Sequence, residues 1–529
     1  MTDHTSSDVL IIGGGIMGAA VARLLREADP MLSMTMIDSG AVIGGTAGVH
    51  LHDVEDPEVW GRYNERVASG IQGMYTGAEV VESASADVRG LTPGMFRAST
   101  FGENADEMPA TAFGWNAGGM GVHWTAATPW PADHETFADG SGSVGRDGDG
   151  SGRDGDDDRA GGDAPAWQAD LDTARRLLDV TPSAIGPTPM GNLVLDVFAR
   201  RFAGTGPGER MPQPMPMAIQ PSSTGPSPRT GPAHIFAPIS DASDAAFTLR
   251  TGEIATALII DGGQVTGART RTISDGVEHE VRARIVMVCA DAMRTPQLLF
   301  ASGIRPPALG RYLNEHAFIT ARVLVDLDHF GVEVASLPVP REGEFCTDSL
   351  WIPQNGAGQP FHGQIMNTTY TDEFGHPLAH SVGLSLYTPV ESRAENRISF
   401  SETETDLAGM PRMSFEFEYS AADRVLIGRA LDLVQSLALE FGEFDPNTER
   451  ALLPPGSSLH LTGTVRSGAD DDGTSVCSPD GRVWGFENLF VAGNGVIPTS
   501  VVANATLTGV ITAVRAARAA HAMLSPSRI

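Results

Sequence analysis

Residues 8–38 read DVLIIGGGIMGAAVARLLREADPMLSMTMID. Asp8–Ile12 is a short apolar run with strand character, Gly13–Gly18 a glycine-rich turn, Ala19–Glu27 an Ala/Leu-rich helix, and Met34–Ile37 a second strand ending on Asp38. Strand, turn, helix, strand and acid in that order predict a βαβ unit built to hold a dinucleotide. Gly13, Gly15 and Gly18 fit G-x-G-x-x-G. The first makes the tight turn, the second lets backbone approach a pyrophosphate, and the third lets the helix lie close on the sheet. The helix start, at Ile16 and Met17, aims free N–H groups at the phosphates. Asp38, followed by Ser39, is placed to bind a ribose hydroxyl, and its charge disfavours a 2′-phosphate. This stretch alone leaves NAD and FAD both open.

Distant segments choose between them. Phe247–Ala257, Gln264–Arg271 and Glu278–Ala283 pattern as short antiparallel strands with a turn at Asp261–Gly263. A buried strand, Arg284–Ala290, and a helix, Thr295–Ser302, follow. Near the C-terminus an apolar strand, Leu489–Ala492, runs into Gly493–Asn494–Gly495 and a long Ala-rich helix, Leu507–Leu524. A nucleotide-binding domain assembled from separated parts of the chain fits a two-domain flavoprotein better than a compact NAD domain. The expected fold is therefore α/β: a Rossmann-like FAD-binding domain with a second, α+β substrate-binding domain on a mixed or antiparallel sheet. The expected division gives 1–135, 240–311 and 455–529 to the FAD-binding domain, and 165–239 and 312–454 to the substrate-binding domain. Val323–Leu327 and Arg412–Tyr419 are candidate strands of the latter.

Composition bounds the rest. At 529 residues with 41% apolar content, the chain can bury a large core. A net charge of −30 argues against nucleic acid and anionic membranes as partners. Some of that charge lies in 139–163, a run of Asp, Gly, Ser and Arg that reads as a disordered loop. Its spacing fits no EF-hand, and no metal site is expected. Cys289, Cys346 and Cys477 stand far apart and in no CxxC or metal spacing, which excludes a disulfide framework. No apolar run reaches membrane-spanning length. The first residues carry no basic region before the first strand begins, so a cytoplasmic location is expected.

Three segments carry a resemblance. Gly493–Thr508 (GNGVIPTSVVANATLT) and Ala290–Glu315 (ADAMRTPQLLFASGIRPPALGRYLNE) resemble the glucose–methanol–choline oxidoreductases. Gly118–Pro129 (GGMGVHWTAATP) is similar to their pyranose oxidase branch, above all its bacterial sugar and C-glycoside oxidases. The resemblance implies FAD, contacted by Gly119, His123, Trp124 and Thr125 in one segment and by Ala290, Asn494 and Thr506 in the others. The histidine of the HWT triplet carries the flavin covalently in fungal relatives. His123 could do the same, or could only pack against the ring edge. The resemblance also implies a catalytic pair, which falls on His460 in SLHLTGTVRSG and Asn504 in VANATLT.

Alcohol oxidation explains why such a pair is needed. The hydroxyl proton is too weakly acidic to leave unaided, and an imidazole can accept it while hydride moves to the flavin. A neighbouring amide can hold the hydroxyl in line and stabilise developing alkoxide charge. The implied reaction is oxidation of a secondary pyranose hydroxyl, at carbon 3 of a glycoside or carbon 2 of a free sugar, with dioxygen or a quinone reoxidising the flavin. A dehydrogenase with another acceptor and a non-catalytic flavin-binding protein are the alternatives. Phe345, Trp351 and Tyr370 could stack on an aglycone. Three departures from the family pattern stand out: Ala505 where Pro commonly follows the Asn, Val465 in place of a second His, and Ser467 in place of Met. Ala505 removes a fixed φ and is expected to loosen Asn504.

Overall fold

The computed structural model describes residues 6–61, 88–137, 164–222, 225–341 and 343–524. The expectation for 139–163 lies outside them. The N-terminal unit forms as read: strand β1 (Ser6–Ile12), helix α1 (Ile16–Ala28) and strand β2 (Met34–Asp38). β1 pairs in parallel with β2 on one side and with Glu278–Val288 on the other. Phe247–Thr251 extends the parallel region beyond β2. Glu253–Asp261, Gln264–Thr272 and Glu278–Val288 form an antiparallel meander. Glu278–Val288 is one continuous strand where the sequence suggested two. Its first half pairs with the meander, and its last residues pair in parallel with Leu489–Val491. The expected strand Phe247–Ala257 is instead broken at Gly252, whose φ of +66° suits glycine.

A second, six-stranded sheet is antiparallel throughout, in the order Arg450–Leu452, Ala317–Leu324, Pro377–Thr388, His362–Thr371, Asp348–Ile352, Gln213–Pro214. Alternation separates its faces. Ile319, Ala321, Val323, Ile365, Val382 and Leu384 pack against the helices Pro189–Arg201 and Ala421–Leu439. The opposite face carries a cross-strand row, Phe318, Tyr387 and His362, in register on three neighbouring strands. Phe318 stacks on Tyr387 at 4.5 Å, and Tyr387 on His362 at 5.4 Å. The expected strand Val323–Leu327 shifts to Ala317–Leu324, because Asp326 caps a short helical turn by accepting a hydrogen bond from His329 N–H.

Two parts of the expected substrate-binding domain pack with the first sheet. The helix Ala164–Leu178 lies against the C-terminal helix Thr506–Leu524, where Arg515 Nε meets Asp170 at 2.8 Å in a buried ion pair. The hairpin Arg397–Thr405/Pro411–Glu416 contributes Ile398, Met413 and Phe415 to the same core as Leu10, Ile37 and Val288. No described helix is long and apolar enough to cross a membrane.

Candidate active site

At two positions of the glycine turn only glycine serves. Gly13 has φ +108°, and a Cβ there would lie 2.4 Å from Cys289 O. A Cβ on Gly18 would lie 2.0 Å from Gly13 O, so this glycine brings α1 onto the strand end. At Gly15 a side chain would meet only Gly118 O, at 3.5 Å, and would otherwise fill the cavity that the turn borders. Asp38 sits behind the turn. Its Oδ2 accepts from Gly14 N–H at 3.1 Å and Gly118 N–H at 3.0 Å, and its Oδ1 from Gly40 N–H at 2.9 Å. The carboxylate thereby ties the N-terminal turn to the segment leading into His123–Trp124–Thr125. Burial raises its pKa and the three N–H donors oppose that rise.

One cavity runs from this turn to His460 and Asn504. Gly13, Gly15, Ile16, Met17, Asp38, Ser39, Gly119, His123, Trp124, Thr125, Ala290, Asn494 and Thr506 all line it; Gly18 does not. Ile254, Ala255, Met293 and Leu298 add apolar lining to it. The lining combines glycine backbone, apolar side chains and an imidazole–amide pair, a set of groups that suits a flavin dinucleotide. The buried Asn494 Oδ1, which has no partner among the described residues, supplies a further acceptor on the cavity wall.

His460 and Asn504 are in contact, Nε2 to Nδ2 at 3.2 Å. The loop that carries His460 is wired by Glu315, which accepts from Ser458 Oγ at 2.8 Å, from Leu459 N–H at 3.1 Å and from Gly456 N–H. These bonds hold Leu459 at φ +59°, a conformation rare outside glycine. Burial pushes the Glu315 carboxyl up to about 7. Two histidines absent from the sequence expectation complete the cluster. His316 Nε2 lies 2.8 Å from His460 Nδ1, and His362 Nε2 lies 2.9 Å from Asn504 Oδ1. Burial lowers His460 to about 4 and His362 to about 3, and it also takes His316 well below the ordinary imidazole value. All three rings are therefore neutral at pH 7, which a proton acceptor requires.

Ala505 does not loosen Asn504. The amide is gripped by His362, and the preceding segment is clamped by Glu135, whose Oε1 accepts Val502 N–H at 2.7 Å and whose backbone O accepts Thr499 Oγ1–H at 2.7 Å. Val465, in the second histidine's place, is buried and donates its N–H to Gly495 O at 2.9 Å. His123 is buried with Nε2 2.8 Å from Asn116 Oδ1.

Of the three aromatic candidates for substrate stacking, only Phe345 lines the cavity. Its segment is held from behind: Arg229 lies over the Phe345 ring at 5.9 Å and pairs with Glu344 at 2.7 Å, both side chains almost fully buried. Trp351 is a correction. It is 0% exposed, lies edge-to-face with Trp130 at 4.5 Å, and gives its indole N–H to His362 Nδ1 at 2.9 Å. Tyr370 is another: it sits towards the outer end of its strand, 42% exposed, with Arg322 donating to its hydroxyl at 3.1 Å. Cys289, Cys346 and Cys477 are buried free thiols, their pKa values raised by desolvation.

The chain is similar over most of its length to several known proteins. The chain is 35% identical to the C-glycoside 3-oxidase of Microbacterium trichothecenolyticum, over 97% of this chain and 96% of that protein. It is 36% identical to the C-glycoside 3-oxidase of Arthrobacter globiformis, over 97% and 94%. With the pyranose 2-oxidase of Emericella nidulans it shares 25% identity over 96% and 91%. In fold, a formate oxidase variant from Aspergillus oryzae superimposes with a TM-score of 0.65 at 13% identity, covering 99% of both chains. Residues 392–513, which include His460 and Asn504, match the family described as GMC oxidoreductase. A βαβ cradle, an antiparallel second sheet and near full-length relatedness lead to one assignment: the chain belongs to the GMC oxidoreductase family.

Proposed function

We propose that this protein is an FAD-dependent oxidase of sugars or glycosides that converts a secondary ring hydroxyl to a ketone, with carbon 3 of a C-glycoside the leading target. The observation that carries the reading is a neutral, buried His460 facing Asn504 in the cavity that the glycine turn also borders. The two relatives at 35–36% identity, against 25% for a pyranose 2-oxidase, favour carbon 3 over carbon 2.

His460 Nε2 takes the hydroxyl proton as the O–H bond breaks, and Asn504 Nδ2–H donates to the same oxygen, steadying the alkoxide character that develops. Bound FAD supplies the acceptor for the hydride that leaves the carbinol carbon, so proton and hydride together account for the two hydrogens lost. Phe345 and Met366 wall the space beside the pair, shielding the reacting carbon from bulk water. In the proposed division of labour, the first sheet holds the cofactor and the second covers the substrate. Gly13–Met17 receive the pyrophosphate. Asp38, whose Oδ1 accepts only one of the three N–H bonds, receives a ribose hydroxyl. His123 Nε2 is engaged by Asn116, which supports a flavin held without a covalent bond. Yellow colour released into the supernatant on acid precipitation is the expected result.

Anaerobic bleaching of the flavin against free sugars, O-glycosides and C-glycosides tests the reading, with the ketone located by NMR. Bleaching by an aryl C-glycoside with a 3-keto product is expected. Reduction by none of the three classes would overturn it. Peroxide formed in air, compared with the rate of benzoquinone reduction, assigns the acceptor.

A further inference from the structure

A single indole sets the direction of every hydrogen bond around the base. An indole N–H can only donate, so the contact from Trp351 at 2.9 Å makes His362 Nδ1 an acceptor. Neutral His362 then carries its proton on Nε2 and donates it to Asn504 Oδ1 at 2.9 Å. With its oxygen so engaged, Asn504 presents Nδ2–H to His460 Nε2 at 3.2 Å. His460 Nε2 is therefore the ring's acceptor, its proton sits on Nδ1, and Nδ1–H donates to His316 Nε2 at 2.8 Å. The backbone of Val501 beside His316 favours the protonated ring, as a carbonyl near an imidazole N–H does. Trp351 and His362 are 0% exposed, and His316 3%, so bulk water does not compete for these bonds.

We infer that Trp351, His362 and His316 are positioning residues whose one-way hydrogen-bond chain holds His460 in the tautomer with its lone pair on Nε2, beside Asn504. The inference rests on His460 being the base of the proposed reaction. The opposite tautomer would present an N–H to the substrate hydroxyl and could not take its proton. The chain also fixes Asn504 as a donor, because a flipped amide would set its own NH₂ against His362 Nε2–H. When the hydroxyl proton reaches His460 Nε2, the imidazolium keeps its Nδ1–H bond to His316, which becomes charge-assisted and stronger.

The FAD-loaded enzyme tests this by two readouts. In ¹⁵N-histidine NMR without substrate, His460 should show Nδ1 protonated and Nε2 bare. Trp351→Phe and His316→Leu should each bring in the Nε2–H form, whereas His316→Gln, whose Oε1 can accept from Nδ1–H, should keep the wild-type pattern. In anaerobic stopped flow with D-glucose and an aryl C-glucoside, His316→Leu should lower the limiting reduction rate per bound flavin by about a hundredfold, as loss of a base's tautomer or alignment does. Substrate affinity should change little, and His316→Gln should restore the rate to within a few-fold. Wild-type limiting rates in His316→Leu, equal impairment of the Gln and Leu variants, or an Nε2–H tautomer in the wild type would each overturn the inference. Failure of both sugars to bleach the wild-type flavin would count against the proposed function, and the NMR pattern would still decide the tautomer.

Discussion

His460 owes its neutrality to burial. Desolvation alone brings it to about 4, so at pH 7 the proton acceptor is fully available. The limiting rate of anaerobic flavin reduction should accordingly be flat from about pH 8 to 5.5 and fall as the pH drops through about 4, where the ring protonates. A midpoint near 6.5, the value of an exposed imidazole, would show a hydrated ring and contradict the burial described. His460 and Asn504 were singled out through the resemblance of their segments to a family, and the structure brings the two side chains into contact. His316 and His362 were not legible in the sequence. His362 is one polar residue in an alternating strand and His316 stands just before another, and they meet Asn504 and His460 across 142 and 144 positions of chain. Trp351 reads as a candidate stacking surface in sequence; only its burial reveals that its useful atom is Nε1.

The elements differ in how much each reveals of itself. The turn between β1 and α1 is local, and Gly13 and Gly18 do what their positions predict, the tight turn and the close helix packing. Gly18→Ala places a methyl group 2.0 Å from Gly13 O. We expect it to push α1 off the strand end, cost about 1–3 kcal/mol of stability, and lower FAD content as measured by the ratio of flavin to protein absorbance. The segment behind Phe345 is different, since its hold is built from distant pieces. Arg229→Leu would strand Glu344 as a buried charge, at a cost of about 3–5 kcal/mol, and would release the Phe345 side of the cavity. The expected signature is a lower melting temperature and a KM that rises more than kcat falls. Strand ends in the second sheet were the least legible. Alternation marks a strand's faces, but Asp326 ends one by capping a turn, a competition that periodicity does not register.

Acid sensitivity emerges from the molecule as a whole, because folding is what buries these histidines without charge. Between pH 6.5 and about 4 the unfolded chain takes up a proton on His460 that the folded protein does not, so stability falls as pH falls across that window. His460 alone contributes a loss of ~3 kcal/mol, at 1.36 kcal/mol per unit of pKa. Glu315 acts with the opposite sign: its raised pKa of about 7 weakens the fold as pH rises from the ordinary carboxyl range towards neutrality. The gap in melting temperature between the wild type and His460→Gln should therefore move steadily against the wild type as pH falls from 6.5 to 4. A gap constant across that range would mean that the ring titrates normally in the fold. At this scale the sequence conveyed the fold class and the presence of two sheets. It did not convey that Ala164–Leu178 and the hairpin ending at Glu416 join the first core, since their partners are other helices and strands far along the chain.

The chain from Trp351 begins at a group that can only give a proton and ends at His316, beside the backbone of Val501. In the proposed reaction a proton reaching His460 could be shared with His316, but the bonds described carry it no further. A ring whose pKa lies near 4 gives up such a proton readily at neutral pH, so its exit would be through the cavity that the substrate enters.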